Sequence, residues 1–388
     1  MSSPIMTAST GPLANVKVIE LAGIGPAPMA GMMLADMGAE VIRIERSAQR
    51  DPLWVKDHSQ RGKRSVGLNL KCPEGRELLL RLIDQVDVLI EGYRPGVVER
   101  LGIGPDLCLE RNPRLIFGRV TGWGREGPLA QAAGHDINYI SLCGALHAIG
   151  RPKDRPVPPL NLVGDMGGGG MLLTVGVLAA LLERAQSGKG QVVDAAMIDG
   201  AALQMWLLHG MHASGHWDAR ERGVNLLDGG APFYDTYETR DGQYVSIGSL
   251  EPQFYGRLCE LLGLDSERYG RQMDRSGWSA MKAELTAIFK EKTRSEWCAL
   301  LEGTDVCFAP VLSMTEAPSH PQYQARGTYV ELDGFMQPGP APRFSRTPST
   351  LARGGARAPG EDGAATLSRL GIGEEEIAKL RKAGILTC

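Results

Sequence analysis

Residues 16–46 read VKVIELAGIGPAPMAGMMLADMGAEVIRIER. The run 16–21 is short and rich in strand-forming residues. The stretch GIGPAP breaks it, and MAGMMLADMGA then carries apolar residues at helical spacing, ending at Gly38. EVIRIER restores a strand pattern at 40–46. Strand, loop, helix, strand over such a length is the repeating unit of a parallel sheet, because a parallel return needs a crossover long enough to hold a helix.

The same logic repeats downstream. A helical pattern near 74–87 precedes the strand DVLIEG at 87–92, a helix near 95–101 and the strand LIFGRV at 115–120. Alternating strands and helices predict an α/β fold whose parallel sheet is covered on both faces. Residues 128–200 read as mostly helical with loops. The character changes after about residue 220. APFYDTYETRDGQYVSIGSL, 231–250, predicts two antiparallel strands around the turn Arg240-Asp241-Gly242. Helical patterns follow at 252–263, 279–291 and 294–303, which marks 225–325 as a second domain. The tail 335–365, rich in Pro, Gly, Ser and Ala, reads as an extended crossing segment. GEEEIAKLRKAGIL, 373–386, closes the chain as a helix with acidic residues first and basic residues near its end, as the helix dipole favours.

Bulk composition narrows the classes. The chain has 388 residues, 43% hydrophobic and 22% charged, with a formal net charge of −3. That supports two or three domains and a large core, and gives no electrostatic case for nucleic-acid or membrane binding at the level of the whole chain. The N-terminus lacks a basic region followed by a long apolar run, and the longest apolar segment, 171–182, is short for a bilayer span. Seven scattered cysteines without a CxxC pair point to a reducing compartment, with the cytoplasm as the expectation, and away from a disulfide frame or zinc site.

Several motifs carry chemistry. AGIGPAP, 22–28, with Glu45 ending the next strand, has the outline of a nicotinamide dinucleotide site. Position 28, where a third glycine belongs, is Pro28, and Pro26 interrupts the loop, so a tight turn with proline at the helix start is the competing reading. His209, His212 and His216 stand at helical spacing, yet no further ligand signature accompanies them, and no metal site is expected. Arg43, Arg46, the run RGKR at 61–64, Lys71, Arg94 and Arg100 lie near strand ends. Loops at the carboxyl ends of parallel strands line one crevice, so these cations would converge on a ligand with several phosphates. Unrelated solvated charges are the alternative.

AGHDINYISLCGALHAIG, 133–150, sets His135 before Asp136 at a loop-to-helix transition, and NLVGDMGGGGMLL, 161–173, sets Asp165 before Gly167–Gly170 at the start of a long apolar helix. Two titratable groups at two helix starts can face one cavity and move a proton between the two faces of a carbon. The glycines can let an enolate or thioester oxygen approach the helix N–H groups, or they can serve close helix packing. Met171, Met197, Met205 and Met211 suit either an adaptable acyl surface or the core.

Taken together, the stretches 20–46, 87–105, 133–150, 158–170, 188–200, 225–255 and 340–349 resemble the α-methylacyl-CoA racemases, within the class III coenzyme A transferase family. The resemblance runs from about 14 to 385. It implies a large domain with a Rossmann-like parallel sheet plus a smaller α/β domain, in an interlocked homodimer whose active sites lie between the large domain of one subunit and the small domain of the other. It divides the chain into 1–200 (large coenzyme A-binding domain), 201–224 (linker helix), 225–325 (small domain) and 326–388 (return to the large domain). It implies His135 and Asp165 as the two acid/base residues and Glu251 as the acid that hydrogen-bonds the histidine. The coenzyme A contacts it implies are Arg46, then Leu68, Asn69, Leu70 and Lys71 on a strand LNLK, Gly92, Tyr93, Arg94 and Arg100, and Gly134, Asp136, Ile137, Asn138 and Tyr139.

The implied activity is interconversion of (2R)- and (2S)-2-methylacyl-CoA by proton transfer through an enolate, with no cofactor, since coenzyme A belongs to the substrate. Transferases of the same family use the equivalent of Asp165 as a nucleophile and do not need the histidine, so the presence of both His135 and Glu251 favours the racemase. A transferase is the alternative, and a nicotinamide-dependent oxidoreductase the more distant one.

Overall fold

The computed structural model describes residues 10–46, 57–265, 269–349, 351, 354–355 and 358–387. The residues before Thr10 and the segment 47–56, to which the sequence assigns no firm role, lie outside the described residues. The chain packs as two compact units: 1–143 with 160–204 and 327–388, and 144–159 with 205–326. Residues 144–159 therefore group with the second unit, and the stretch 205–224, expected as part of a linker helix, groups there as well.

The first unit is built on a seven-stranded sheet. Its parallel strands are β1 (Lys17–Leu21), β2 (Glu40–Glu45), β3 (Lys63–Leu68), β4 (Val88–Glu91), β5 (Ile116–Thr121) and β6 (Gln191–Ala196), in the order β3-β2-β1-β4-β5-β6. A short antiparallel strand, Leu386–Thr387, brings the C-terminal end of the chain onto the free edge of β3. The order reverses between β1 and β4, which opens a crevice at their carboxyl ends. Two of the parallel strands escaped the sequence reading. LNLK is not a strand of its own: Leu68 ends β3 and Asn69–Lys71 form the turn after it. β6 lies within the stretch read as helix and loop, and its exposed outer residues blur the apolar pattern.

Side chains alternate between the sheet faces. Ile19, Leu21, Leu89 and Phe117 pack on one face with the helix Pro73–Ile83 and the C-terminal helices Gly363–Arg369 and Glu374–Lys382. Val18, Val41, Val88, Ile90 and Ile116 pack on the other, under α1 (Pro26–Asp36) and the long helix ending at Ser187. α1 starts at Pro26 after Gly25, whose φ of +75° is a conformation glycine adopts at no steric cost.

That long helix spans Leu162–Ser187, 26 residues with a mean hydropathy of 1.6 over its most apolar 18-residue stretch, long and apolar enough by composition to cross a membrane. The apolar segment 171–182 understated it. Its packing is that of a helix covering a sheet: Leu173 and Val177 rest on Gly118 of β5, and Gly176 faces Val193 of β6. The tail expected to be extended instead folds at its start into a hairpin, Tyr329–Leu332 with Phe335–Pro338.

The second unit holds the predicted hairpin, Tyr234–Glu238 paired with Tyr244–Gly248, plus a third strand, Phe308–Pro310, too short to show in the sequence. Helices Pro252–Leu262, Trp278–Phe289 and Arg294–Leu301 surround a core of Tyr237, Leu285, Phe289 and Trp297.

Candidate active site

The site is assembled at the carboxyl ends of the strands in the first unit. His135 is the N-cap of the helix Asp136–Leu142, with its backbone N–H donating to Asn138 Oδ1 at 3.0 Å and its side chain exposed. Asp165 lies in the first turn of the long helix, which opens as a wide π-type turn over Leu162–Met171. Asp136 ties the two together. Its buried carboxylate accepts the Asp165 backbone N–H at 2.7 Å, while the adjoining residue is His135. The Asp165 carboxylate stands 3.6 Å from the point a Cβ on Gly25 would occupy, so it overlooks the β1–α1 turn at the reversal of strand order.

Partial burial pushes the Asp165 carboxyl above its ordinary pKa, and the nearby Asp136 charge adds to the rise. The Asn161 amide, donating to Asp165 Oδ2 at 3.3 Å, and His135 oppose it. A carboxyl held toward its protonated form within electrostatic range of an exposed imidazole can serve as an acid/base pair with unequal partners. Asn161 was not singled out from the sequence. Its position four residues before Asp165 on one helix face was the available signal.

The glycine run does not form the helix mouth. A Cβ on Gly168 would press within 2.9 Å of the backbone of Met197 and Ala201, one on Gly169 within 2.9 Å of Pro26 and Met197, and one on Gly170 within 2.8 Å of the Met29 sulfur. These three buried glycines let the long helix seat against α1 and the helix Met197–Gln204. Packing therefore explains them, and the expectation of an open approach surface is corrected for these positions. Met197 belongs to the same packed seam, whereas Met171 is half exposed.

The basic residues divide into two groups. Arg46, Lys71 and Arg94 follow the carboxyl ends of β2, β3 and β4, and Arg100 lies one short turn further on. All four are exposed. The Arg94 charge reaches Tyr139, and the Arg46 charge reaches Tyr93, which brings the loop after β4 into electrostatic range of both the His135 helix and the end of β2. Arg43, Arg61 and Lys63 are not ligand contacts. Arg43 is buried between Glu20 (2.8 Å) and Glu45 (2.9 Å), and Lys63 is buried on Glu20 (2.5 Å) and the Pro28 carbonyl (2.8 Å). Burial pushes the Lys63 ammonium down despite its partner. Arg61 grips Asp36 at 2.6 Å, and Arg64 faces Glu40 at 3.6 Å. The RGKR run sits at the amino end of β3, the opposite edge of the sheet from the crevice.

The dinucleotide outline fails on the same grounds, since Glu45, the candidate ribose acid, is buried against Arg43. Several implied coenzyme contacts also turn inward. Leu68 is in the core, Asp136 serves Asp165, and Tyr139 is buried with its hydroxyl on the Gly134 carbonyl at 2.5 Å. Asn69 Oδ1 accepts the Lys71 backbone N–H at 3.0 Å, and Leu70 packs partly against the core. Gly92, Ile137 and Asn138 remain exposed, and Gly134 and Tyr93 half-buried.

Glu251 belongs to the second unit, as N-cap residue of the helix Pro252–Leu262, with its side chain exposed. The histidine trio lies there too. His212 Nδ1 is 3.0 Å from the Trp217 carbonyl, and Gly215, at φ +76°, follows the helix Trp206–Ala213. Among the described residues no cluster of three His, Cys, Asp or Glu side chains could hold a metal ion.

The sequence profile of CoA-transferase family III matches residues 13–362. The chain belongs to that family. Within it, the chain is 43% identical to "Alpha-methylacyl-CoA racemase" of Mus musculus, over 96% of this chain and 97% of the relative. It is 41% identical to the protein of that name from Homo sapiens, over 96% and 97%. Among solved structures, a CAIB/BAIF family protein from Brucella suis superposes with TM-score 0.80 at 28% identity, covering 93% of this chain and all of that one.

Proposed function

We propose that this chain is an α-methylacyl-CoA racemase, an isomerase that interconverts (2R)- and (2S)-2-methylacyl-CoA thioesters. The observation that carries the reading is the pairing of His135 and Asp165 through Asp136 at the strand-order reversal, in a chain whose relatives bear that name across nearly their full length. One of the two residues takes the α-proton as a base. The electron pair of the broken C–H bond moves into the thioester as an enolate. The other residue, in its acid form, returns a proton to the opposite face. The two residues end in exchanged protonation states, and exchange with solvent resets them. Arg46, Lys71, Arg94 and Arg100 would hold the phosphates of coenzyme A by charge-assisted hydrogen bonds.

The reading includes an interlocked homodimer with Glu251 supplied by the small domain of the neighbouring subunit to hydrogen-bond His135. It is supported by an apolar stripe on the long helix. Met171, Val175 and Leu182 follow one helix face and are 50%, 61% and 68% exposed.

The test is incubation of a single 2-methylacyl-CoA epimer in deuterated water. Deuterium should enter the α-position as the two epimers converge, and His135→Ala should slow both by roughly 10²–10⁴-fold. Full activity in that variant, or epimerisation without label, overturns the mechanism. A transferase would instead be trapped at Asp165 by hydroxylamine during turnover with a coenzyme A donor and a free acid.

A further inference from the structure

The loop Gly92–Gly96 carries Tyr93 and Arg94 and runs straight into the short helix Val97–Arg100. Both of its ends are held by one side chain from the neighbouring strand. Arg119 of β5 is fully buried. Its Nε donates to Glu91 Oε1 at 3.0 Å, and Nη1 and Nη2 both donate to Glu99 Oε1 at 3.1 Å. Glu91 is the last residue of β4 and the register partner of Arg119, so the pair is fixed by strand pairing. The second oxygen of Glu91 accepts the Tyr93 backbone N–H at 2.7 Å, which sets the first bend of the loop. Glu99 lies on the helix beyond the loop and also receives Arg125 Nη2 at 3.1 Å.

The geometry points to Arg119, with Glu91 and Glu99, as a staple that positions Arg94 and Arg100 for the phosphates of coenzyme A. A buried ion pair is costly to form and gives weak net stability. It does define one geometry, because a guanidinium meets two carboxylates only in fixed directions. Between the two anchors the loop is closed by its own backbone, with the Val97 N–H on the Arg94 carbonyl at 3.1 Å, and by Gln131 Nε2 on the Pro95 carbonyl at 3.4 Å, so the staple fixes where that closed loop sits. Its exposed guanidinium has no hydrogen bond or ion pair among the described residues. The staple does not touch the reacting carbon, so these are positioning residues, and their effect belongs in binding rather than in the chemical step.

The staple also confers a pH dependence. Burial pushes the Glu91 carboxyl up to about 6, against the pull of Arg119 and the Tyr93 N–H. The titratable groups around it are Arg119, the Tyr93 phenol and, beyond the guanidinium, Glu99 and Arg125 on one side and Asp194 of β6 on the other. Above about 6 the carboxylate holds both ends of the contact. Below it the carboxyl is neutral, Arg119 keeps only half of its counter-charge, and the loop is held less tightly.

The inference rests on the coenzyme A thioester reading, and the experiment separates the two. Binding of free coenzyme A to the full-length protein is measured by titration calorimetry across pH, for the unsubstituted chain, Glu91→Gln and Glu99→Gln. The unsubstituted chain should bind, and weaken as pH falls through about 6. Glu91→Gln should bind roughly tenfold more weakly at neutral pH, lose the part of the pH dependence that Glu91 adds to the coenzyme's own phosphate titration, raise KM for the thioester by a similar factor and leave kcat within about twofold. Glu99→Gln, at a side chain 35% exposed, should weaken binding without removing the pH dependence, and it decides the matter if the Glu91 variant does not fold. Unchanged coenzyme A affinity at every pH in the variants that fold overturns the staple. A lowered kcat at unchanged KM does so as well. Failure of the unsubstituted chain to bind coenzyme A at all sinks the thioester reading and the staple with it.

Discussion

At the scale of single residues, Asp136 separates two roles that one carboxylate can combine. It accepts the Asp165 N–H, and its charge raises the proton affinity of Asp165. Asp136→Asn keeps an acceptor oxygen and removes the charge. The Asp165 carboxyl should then titrate lower, so the acid limb of the rate in the direction that uses Asp165 as base moves to lower pH. Asp136→Ala removes the acceptor as well and should cost about a hundredfold in kcat through misplacement of Asp165. Rate-against-pH profiles of the two variants check this, and an unmoved acid limb in Asp136→Asn refutes the charge effect. The positions of His135 and Asp165 at helix starts were legible from the sequence because each stands beside a marked motif. The inward turn of Asp136 was not, since nothing local distinguishes a carboxylate facing a ligand from one facing a backbone amide thirty residues away.

At the scale of elements, the glycines of the long helix show that helix stability was the wrong standard for judging them. Glycine lowers intrinsic helix stability by roughly 1 kcal/mol, yet Gly168 stands where any Cβ would meet the backbone of Met197 and Ala201. Gly168→Ala should destabilise the protein by about 1–3 kcal/mol through overpacking. Gly256, inside the helix Pro252–Leu262 with open space around its Cβ position, provides the contrast. There Gly256→Ala should stabilise by roughly 0.5–1 kcal/mol. Thermal melts of both variants test the claim, and equal shifts in the same direction contradict it. β1, β2, β4, β5 and the longer helices show in the sequence because their periodicity spans many residues, whereas β3 was displaced onto LNLK. β6, the strand Phe308–Pro310 and the hairpin in the tail were missed because edge exposure or brevity leaves too few buried positions to make a pattern.

At the scale of the whole molecule, the exposed stripe Met171–Val175–Leu182 is an apolar surface that the proposed dimer covers. Val175→Glu places a charge at its centre and should shift the protein toward monomer in analytical ultracentrifugation, with activity lost in parallel if, as proposed, Glu251 comes from the neighbouring subunit. A dimer of undiminished strength in that variant removes this helix from the interface.

The sequence by itself determined the alternation of strand and helix, the parallel sheet that follows from it, and the placement of His135 and Asp165 at two helix starts. These are properties of periodicity and local chemistry within short windows. Only the tertiary structure decided which charges face the crevice and which are consumed inside. Arg43, Lys63 and Arg119 read like Arg46 and Arg94 in the chain, but strand register sets Arg43 against Glu20 and Arg119 against Glu91, and Lys63 reaches the same buried Glu20 from β3. The reason is electrostatic. A buried cation requires an opposite charge within hydrogen-bond reach, and that partner lies 23 to 43 residues away in the chain for the contacts of Arg43, Lys63 and Arg119 with Glu20 and Glu91.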